Sequence, residues 1–241
     1  MENLFSHFDK LNNSYDEVSK RVYSLKDFSI SALESSRAFF CEHSLKQGQP
    51  KPIDVDVYAL LAGIPFEKNF LEYISQIITS LNNILLHELK YFVKPQNLGV
   101  EYVVLKWPND PISDELIKKT INYLKEIQLH KFRLHVYGIQ MHEDGCIILK
   151  CIDESMNILN TRNYLLNNIN GLPKKQSNWC HIPIGRILYP IGEKKMVELK
   201  ELLRHLNQEI NYYLIFDKLH LVNERKWYME DKEYIYSKVL I

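Results

Sequence analysis

The segment that decides the fold runs from Cys180 to Tyr189 and reads CHIPIGRILY. Its apolar, β-branched character predicts a strand, and Pro190 and Gly192 end that strand. A stretch with apolar residues at helical spacing follows, and then the segment YYLIFDKLHLV, which has the composition of another strand. These residues therefore predict a strand-helix-strand unit.

An earlier part of the chain has the same order of elements. The run EYVVLKW at 101–107 predicts a strand, and Ser113 can cap a helix whose first turn carries Asp114 and Glu115. A second strand, KFRLHVYGIQM, follows, and the Asp144-Gly145 pair predicts a hairpin into CIILKCI. Superposing Tyr102 on His181 aligns the two units, which indicates an internal duplication.

We therefore expect an α+β protein with two pseudo-symmetric antiparallel β-sheet lobes, outer helices and a central cleft. The duplicated two-lobe domain is expected over residues 96–241. Residues 1–95 are expected to form a helical N-terminal segment that packs on this core, because apolar residues recur at helical spacing on both sides of the Pro-rich loop at 47–52.

Composition limits the partners. Lys plus Arg and Asp plus Glu are both 30, so the formal charge is zero, which argues against an extended double-stranded nucleic acid and leaves a small nucleotide open. The four cysteines show no metal-binding or redox spacing, and neither a signal sequence nor a membrane span is evident. We expect a cytoplasmic protein without membrane contact, metal or cofactor.

The segment HIPIGRI at 181–187 resembles the second motif of the two-histidine phosphoesterase superfamily, which includes 2'-5' RNA ligase-like proteins and cyclic nucleotide phosphodiesterases. The resemblance extends from about residue 99 to the C-terminus. It implies two lobes that each supply a His-x-Thr/Ser element. One imidazole then takes a proton from the nucleophile, the other protonates the leaving oxygen, and the hydroxyls hold the phosphate without a metal.

The sequence departs from this pattern at three of the four positions. In the expected alignment Tyr102 replaces the first histidine, Val104 replaces its hydroxyl residue, and Pro183 replaces the second hydroxyl residue, while His181 is retained. A phenol with a pKa near 10 is a poor general base at neutral pH. The resemblance thus implies a degenerate active site, with His181 as the candidate catalytic residue and Tyr102 as its candidate partner.

Further candidates for ligand binding lie on the same predicted strands and near the C-terminus. Each also has an ordinary structural explanation, as an arginine in a surface ion pair, a solvated lysine, a polar strand face or an aromatic core residue. The candidates are Arg186, Lys106, His135, Tyr137 and Trp227.

Three functions follow from this reading. The leading hypothesis is a phosphoesterase-like protein that binds a nucleotide or RNA-end phosphate without turnover. The second is an active, metal-independent phosphodiesterase on 2',3'-cyclic or 2'-5' linkages that uses His181 with Tyr102 or His135. The third is an interaction module that binds a protein partner through its N-terminal helices and has a vestigial cleft.

Overall fold

The computed structural model describes residues 4–177 and 179–241, and for residues 4–7 it describes the backbone alone. The helices are α1 (Leu4–Ser24), α2 (Ile30–Arg37), α3 (Glu42–Lys46), α4 (Lys68–Ile84), α5 (Asp114–Glu126), α6 (Asn157–Asn168) and α7 (Glu193–Glu209). The strands are β1 (Asp54–Ala62), β2 (Lys90–Phe92), β3 (Val100–Lys106), β4 (Phe132–Met141), β5 (Cys146–Asp153), β6 (His181–Ile187), β7 (Tyr212–Phe216), β8 (Lys218–Lys226) and β9 (Asp231–Val239).

Within the described residues the strands form two antiparallel sheets. One has the order β3-β1-β8-β9, and the other has the order β2-β6-β5-β4-β7. With the seven helices this confirms the predicted α+β class with two sheet lobes. The strand-helix-strand units do not map onto the lobes one to one, because β3 and β4 of the first unit lie in different sheets, as do β6 and β8. The internal duplication stays a prediction.

Two strands lie in the segment before residue 95 that was expected to be helical. Strand β1 lies at 54–62, inside the segment expected to be helical, and it is a central strand of the four-stranded sheet. Strand β2 also precedes residue 95 and pairs with β6 in the other sheet. The helical part of this segment consists of α1 to α3, before β1, and of α4, which connects β1 to β2.

One helix start and one turn form as the sequence predicts. The Ser113 hydroxyl accepts the Leu116 N–H at the start of α5, which satisfies a backbone donor that has no intrahelical partner. Gly145 has φ +82° in the turn between β4 and β5, a conformation that glycine adopts without strain. These local signals fix where α5 begins and how β4 and β5 pair.

The two faces of the four-stranded sheet differ. Leu60, Val103 and Leu221 belong to the main core, which is continuous with the buried faces of the helices. Val57, Ala59 and Val104 lie in a second, smaller apolar cluster that includes Trp107 and Trp227 at its margin. The second face is therefore apolar too.

Helix α1 packs across a face of the five-stranded sheet. The Tyr15 hydroxyl donates to the Cys180 carbonyl at 2.6 Å, and the Gln140 side chain on β4 donates to the Tyr15 carbonyl at 2.7 Å. Tyr15 also meets the Trp179 ring edge-on at 4.5 Å between centroids. No helix in the described part of the chain is long and apolar enough to cross a bilayer.

Side-chain amides cover free strand edges in both sheets. At the edge of β3, the Gln176 amide accepts the Val104 N–H and donates to the Val104 carbonyl, both at 2.9 Å. At the free part of β4, the Asn207 amide does the same for Ile139, at 3.0 and 2.8 Å. Each amide thus replaces one residue of a neighbouring strand.

Candidate functional site

A cavity of about 280 Å³ lies where β3 of one sheet approaches β6 of the other. Polar groups in its wall come from both sheets, and aromatic groups come from the end of β3, from the segment after α2 and from the turn between β8 and β9. Its lining consists of Phe39, Leu61, Val93, Asn97, Leu98, Gly99, Glu101, Trp107, Cys146, His181, Pro183, Arg186, Glu224, Trp227, Tyr228 and Met229.

Strand β6 supplies His181, Pro183 and Arg186 to the lining. The alternation of its side chains between the two faces of the sheet is interrupted once. Ile182 and Ile184 point into the main core, so His181 and Pro183 face the cavity. Pro183 pairs with Ile148 and Gly185 pairs with Ile147, which leaves Ile184 as an extra residue in the β5–β6 ladder. This bulge shifts the alternation and places Arg186 on the cavity side.

His181 is a neutral imidazole in this site. Burial, followed by the nearby His142, Arg186 and Arg162, lowers the pKa of His181 to about 4. Its Nδ1 atom is buried and has no hydrogen-bond partner among the described residues. The neutral ring keeps hydrogen-bonding capacity for a ligand. At neutral pH it is not an imidazolium, so it cannot act as a general acid.

Arg186 is held by three separate parts of the chain. Its guanidinium donates to the Ser36 hydroxyl in the last turn of α2, to the Asp144 carboxylate at 3.0 Å, and to the Tyr228 hydroxyl. The guanidinium carbon lies 4.5 Å from the centroid of the Phe39 ring. These contacts use much of the guanidinium's donor capacity, so Arg186 is a structural link in this cavity.

Two carboxyl groups face the same cavity. Glu224 is 6% exposed, and its Oε1 accepts the Met229 N–H at 3.0 Å. Burial raises the pKa of Glu224 to about 7, and the neighbouring Glu101 acts in the same direction. Burial also raises the pKa of Glu101, while Arg162 opposes that shift. The cavity wall thus carries two carboxyl groups beside the Arg186 guanidinium.

The structure corrects the expected role of Tyr102. Tyr102 is fully buried in the main core, where its hydroxyl donates to Asn157 at 3.2 Å and its ring meets Phe132 edge-on. Successive strand residues point to opposite faces, so Glu101, rather than Tyr102, faces the cavity. Tyr102 is therefore not the partner of His181.

Lys106, His135 and Tyr137 also lie outside the cavity lining. The Lys106 ammonium donates to the Asp56 carbonyl at 2.8 Å and pairs with the Asp56 carboxylate, in a separate open depression beside Trp227. His135 bonds Asn211 and stacks on Tyr213. Tyr137 donates to Asn12 of α1.

Of the residues predicted from the sequence, His181, Arg186 and Trp227 meet in the cavity. The prediction missed Glu101, Glu224 and Phe39. Alternation around Tyr102 was the available signal for Glu101, because moving the cavity face by one residue selects Glu101. Phe39 had no signal of this kind, since its position depends on how α2 folds back on the sheets.

The donor groups present restrict the chemistry of the site. Among residues 4–177 and 179–241, no cluster of three or more His, Cys, Asp and Glu side chains is arranged to hold a metal ion. Burial raises the pKa of Cys146 to about 11, so its thiol is protonated at neutral pH and is a poor nucleophile. The cavity therefore offers hydrogen bonding and stacking.

Among known proteins, similarity to this chain is found in solved structures. No family model matches the sequence, and no curated protein matches it. In solved structures, E. coli LigT in complex with 3'-AMP is 14% identical, with a TM-score of 0.53, and the match covers 78% of this chain and 99% of that chain. LigT has also been solved with ATP and with NADP+.

Two further solved structures are similar. One is a phosphoesterase, 14% identical with a TM-score of 0.52, covering 77% of this chain and 98% of its own. The other is a conserved protein of unknown function from Agrobacterium tumefaciens str. C58, 12% identical with a TM-score of 0.57, covering 80% of this chain and 88% of its own. At these identities the likeness concerns the fold.

Proposed function

We propose, from the premise that this chain has the fold of the two-histidine phosphoesterase superfamily, that it binds a nucleotide or RNA end in its cleft without the two-histidine reaction. The observation that carries the proposal is the pair of strand segments that meet at the cavity. His181 comes from β6, whereas Gly99 and Glu101 come from the β3 side. A second imidazole is not among the cavity-lining residues.

The proposed loss of turnover is supported by the acid–base requirement. The two-histidine reaction needs one group that accepts a proton and another that donates one at neutral pH. His181 is neutral with a pKa of about 4, and Pro183 has no hydroxyl with which to hold a phosphate. His142, which helps to lower the pKa of His181, is not among the cavity-lining residues. Its ring centroid lies 5.2 Å from that of Trp179.

Ligand binding is supported by the cavity itself. Its volume of about 280 Å³ is close to the lower end of small-molecule sites, and aromatic side chains stand beside buried polar ones. The nucleotide complexes of LigT show that a protein of this fold accommodates such molecules. We expect the same class of ligand here.

The test combines a turnover assay with a binding assay. Purified protein is incubated without metal with 2',3'-cyclic mononucleotides and 2'-5' linked dinucleotides, with an active two-histidine phosphoesterase as the positive control. We expect no product above the rate without protein, and we expect nucleoside monophosphates to raise the melting temperature, because a ligand that binds the folded state stabilises it.

Two outcomes would contradict the proposal. Cleavage that is abolished by His181→Ala would identify an active phosphodiesterase with an unrecognised second proton-transfer group. Absence of both cleavage and stabilisation would favour the protein-interaction function through the N-terminal helices.

A further inference from the structure

The unused hydrogen-bonding capacity of the cavity belongs mainly to acceptors. The Glu101 side chain accepts no hydrogen bond from the described residues, and its Oε1 is completely buried. The cation in the wall, Arg186, is already bonded to Asp144, Ser36 and Tyr228. A buried acceptor without a partner is costly, so a ligand that brings N–H donors to Glu101 gains a hydrogen bond that the free protein lacks.

Glu224 is not equivalent to Glu101. Its Oε1 holds the Met229 N–H in the turn between β8 and β9, where Tyr228 has φ +63° and Met229 has φ +55°. Two consecutive non-glycine residues in the left-handed region are strained, and such strain concentrates at binding sites. Glu224 therefore maintains the turn that presents Trp227, which leaves Glu101 as the carboxylate available to a ligand.

Arg162 lies near Glu101 but does not bind its carboxylate. Its guanidinium donates to backbone carbonyls, those of Tyr102 and Ser177 at 2.5 Å and that of Glu101 at 3.4 Å. Burial raises the pKa of Glu101, and the positive charge of Arg162 opposes that shift by favouring the ionised form. Glu101 thus combines a nearby compensating charge with unoccupied carboxylate oxygens.

The aromatic part of the wall is fixed in orientation. The Trp107 indole N–H donates to the Lys175 carbonyl at 3.0 Å, and Trp227 meets Phe39 edge-on with 4.9 Å between ring centroids. Trp107 and Trp227 both line the cavity and both border the apolar cluster on that face of the sheet. Fixed aromatic faces bind flat heterocycles by stacking, at low cost in side-chain entropy.

We infer that the cavity recognises a guanine base, with the Glu101 carboxylate accepting the ring N1–H and the 2-amino group and with the ring lying against the indoles of Trp107 and Trp227. This inference rests on the nucleotide binding proposed above and adds base selectivity to it. Guanine presents two adjacent N–H donors on one edge, which match the two oxygens of one carboxylate. Adenine presents one donor beside an acceptor, and that acceptor would face the carboxylate.

The experiment measures affinity by calorimetry for GMP, IMP, AMP, CMP and inorganic phosphate. IMP is the sharp comparison, because it retains the N1–H and lacks the 2-amino group. We expect GMP to bind about tenfold more tightly than IMP or AMP, a ratio typical of one bidentate base contact. Phosphate alone should bind more weakly than any of the nucleotides.

The variant Glu101→Gln removes one acceptor and keeps the shape of the side chain. It should lower GMP affinity by about tenfold, bring it close to that of AMP, and leave the melting temperature equal or higher, since a buried carboxylate is removed. Glu154→Gln, at an exposed carboxylate that pairs with Arg133, is the matched control and should change neither quantity.

Base selectivity and nucleotide binding can fail separately. Equal affinity for GMP, IMP and AMP, or unchanged GMP affinity in Glu101→Gln, would overturn the guanine inference and leave the proposed nucleotide binding intact. No measurable binding of any of the four nucleotides would overturn both. If Glu101→Gln melted well below the wild type, Glu101 would be structural and the inference would be wrong.

Discussion

Glu224 and His181 are two buried titratable residues of one cavity whose pKa values move in opposite directions. The pKa of Glu224 rises from 4.5 to about 7, so between these values the folded protein binds more protons than the unfolded chain. The pKa of His181 falls from 6.5 to about 4, so in that interval the unfolded chain binds more protons. Rising pH therefore lowers stability through Glu224 and raises it through His181.

The two effects oppose each other between about pH 4.5 and pH 6.5. A variant in which residue 224 does not titrate should retain only the His181 contribution to the pH dependence of stability. We predict that the stability of Glu224→Gln relative to the wild type increases as pH rises from 4.5 to 7, by up to about 3 kcal/mol, because each pKa unit corresponds to about 1.4 kcal/mol. Urea unfolding of both proteins across this range measures the difference.

The variant keeps an amide oxygen for the Met229 N–H, so the turn should remain. Glu101 and Lys232 are the other charged groups that influence Glu224, and both are unchanged in the variant. A stability difference that is constant with pH would show that Glu224 does not titrate in this range.

Prediction of the site from the sequence depended on which face of β3 lines the cavity. The HIPIGRI motif lies on β6, and its His181 and Arg186 line the cavity. On β3, aligning Tyr102 with His181 selected the buried face, since a shift of one residue exchanges the two faces of a strand. Glu224 and Phe39 could not be assigned, because their positions depend on contacts between elements distant in the chain.

At the scale of elements, the hairpin between β4 and β5 also supports β6. The Gly145 carbonyl accepts the Ile187 N–H at 2.9 Å, and Asp144 accepts the Cys146 N–H through one oxygen and the Arg186 guanidinium through the other. A Cβ on Gly145 would lie 2.3 Å from the Ile187 carbonyl oxygen. The turn therefore requires glycine for two reasons, its positive φ and its close approach to β6.

We predict that Gly145→Ala destabilises the protein by about 3 kcal/mol or more, because strain from positive φ adds to a clash with backbone. Gly48→Ala is the matched control, since Gly48 has φ +71° and no atom within 4 Å of the added Cβ. It should cost about 1 kcal/mol, from φ strain alone. Equal losses in the two variants, measured by urea unfolding, would contradict the role of the clash.

Prediction was uneven across the elements. The start of α5 and the turn at Asp144-Gly145 were correct because their signals are local. Strand β1 was missed, although DVDVYALLA lies between Pro52 and Gly63 and has the length of a strand. Its central place in the sheet depends on β3 and β8, which pair with it from distant parts of the chain.

At the scale of the whole molecule, α1 to α3 join the two sheets to each other. These three helices lie in the segment before β1. In this segment Tyr15 packs on the five-stranded sheet, and Phe39 contacts Trp227 beside the cavity. The segment thus packs on both sheets and contributes Phe39 to the cavity lining.

We predict that Tyr15→Ala destabilises the protein by about 3–5 kcal/mol, the range for a large buried aromatic side chain. Tyr15 is 1% exposed, and Tyr23 on the same helix is 38% exposed, so Tyr23→Ala is the matched control and should cost about 1 kcal/mol or less. Urea unfolding measures both. Limited proteolysis should cut Tyr15→Ala first within α1; if both variants are equally resistant, α1 does not depend on this contact.

The Gln176 amide at the edge of β3 has a consequence for association between chains. An open strand edge is a template to which a strand of another molecule can add. Here the peptide of Val104 is already occupied on both its N–H and its carbonyl by one side chain. The same amide therefore opposes the addition of another strand at β3, the strand that carries Glu101.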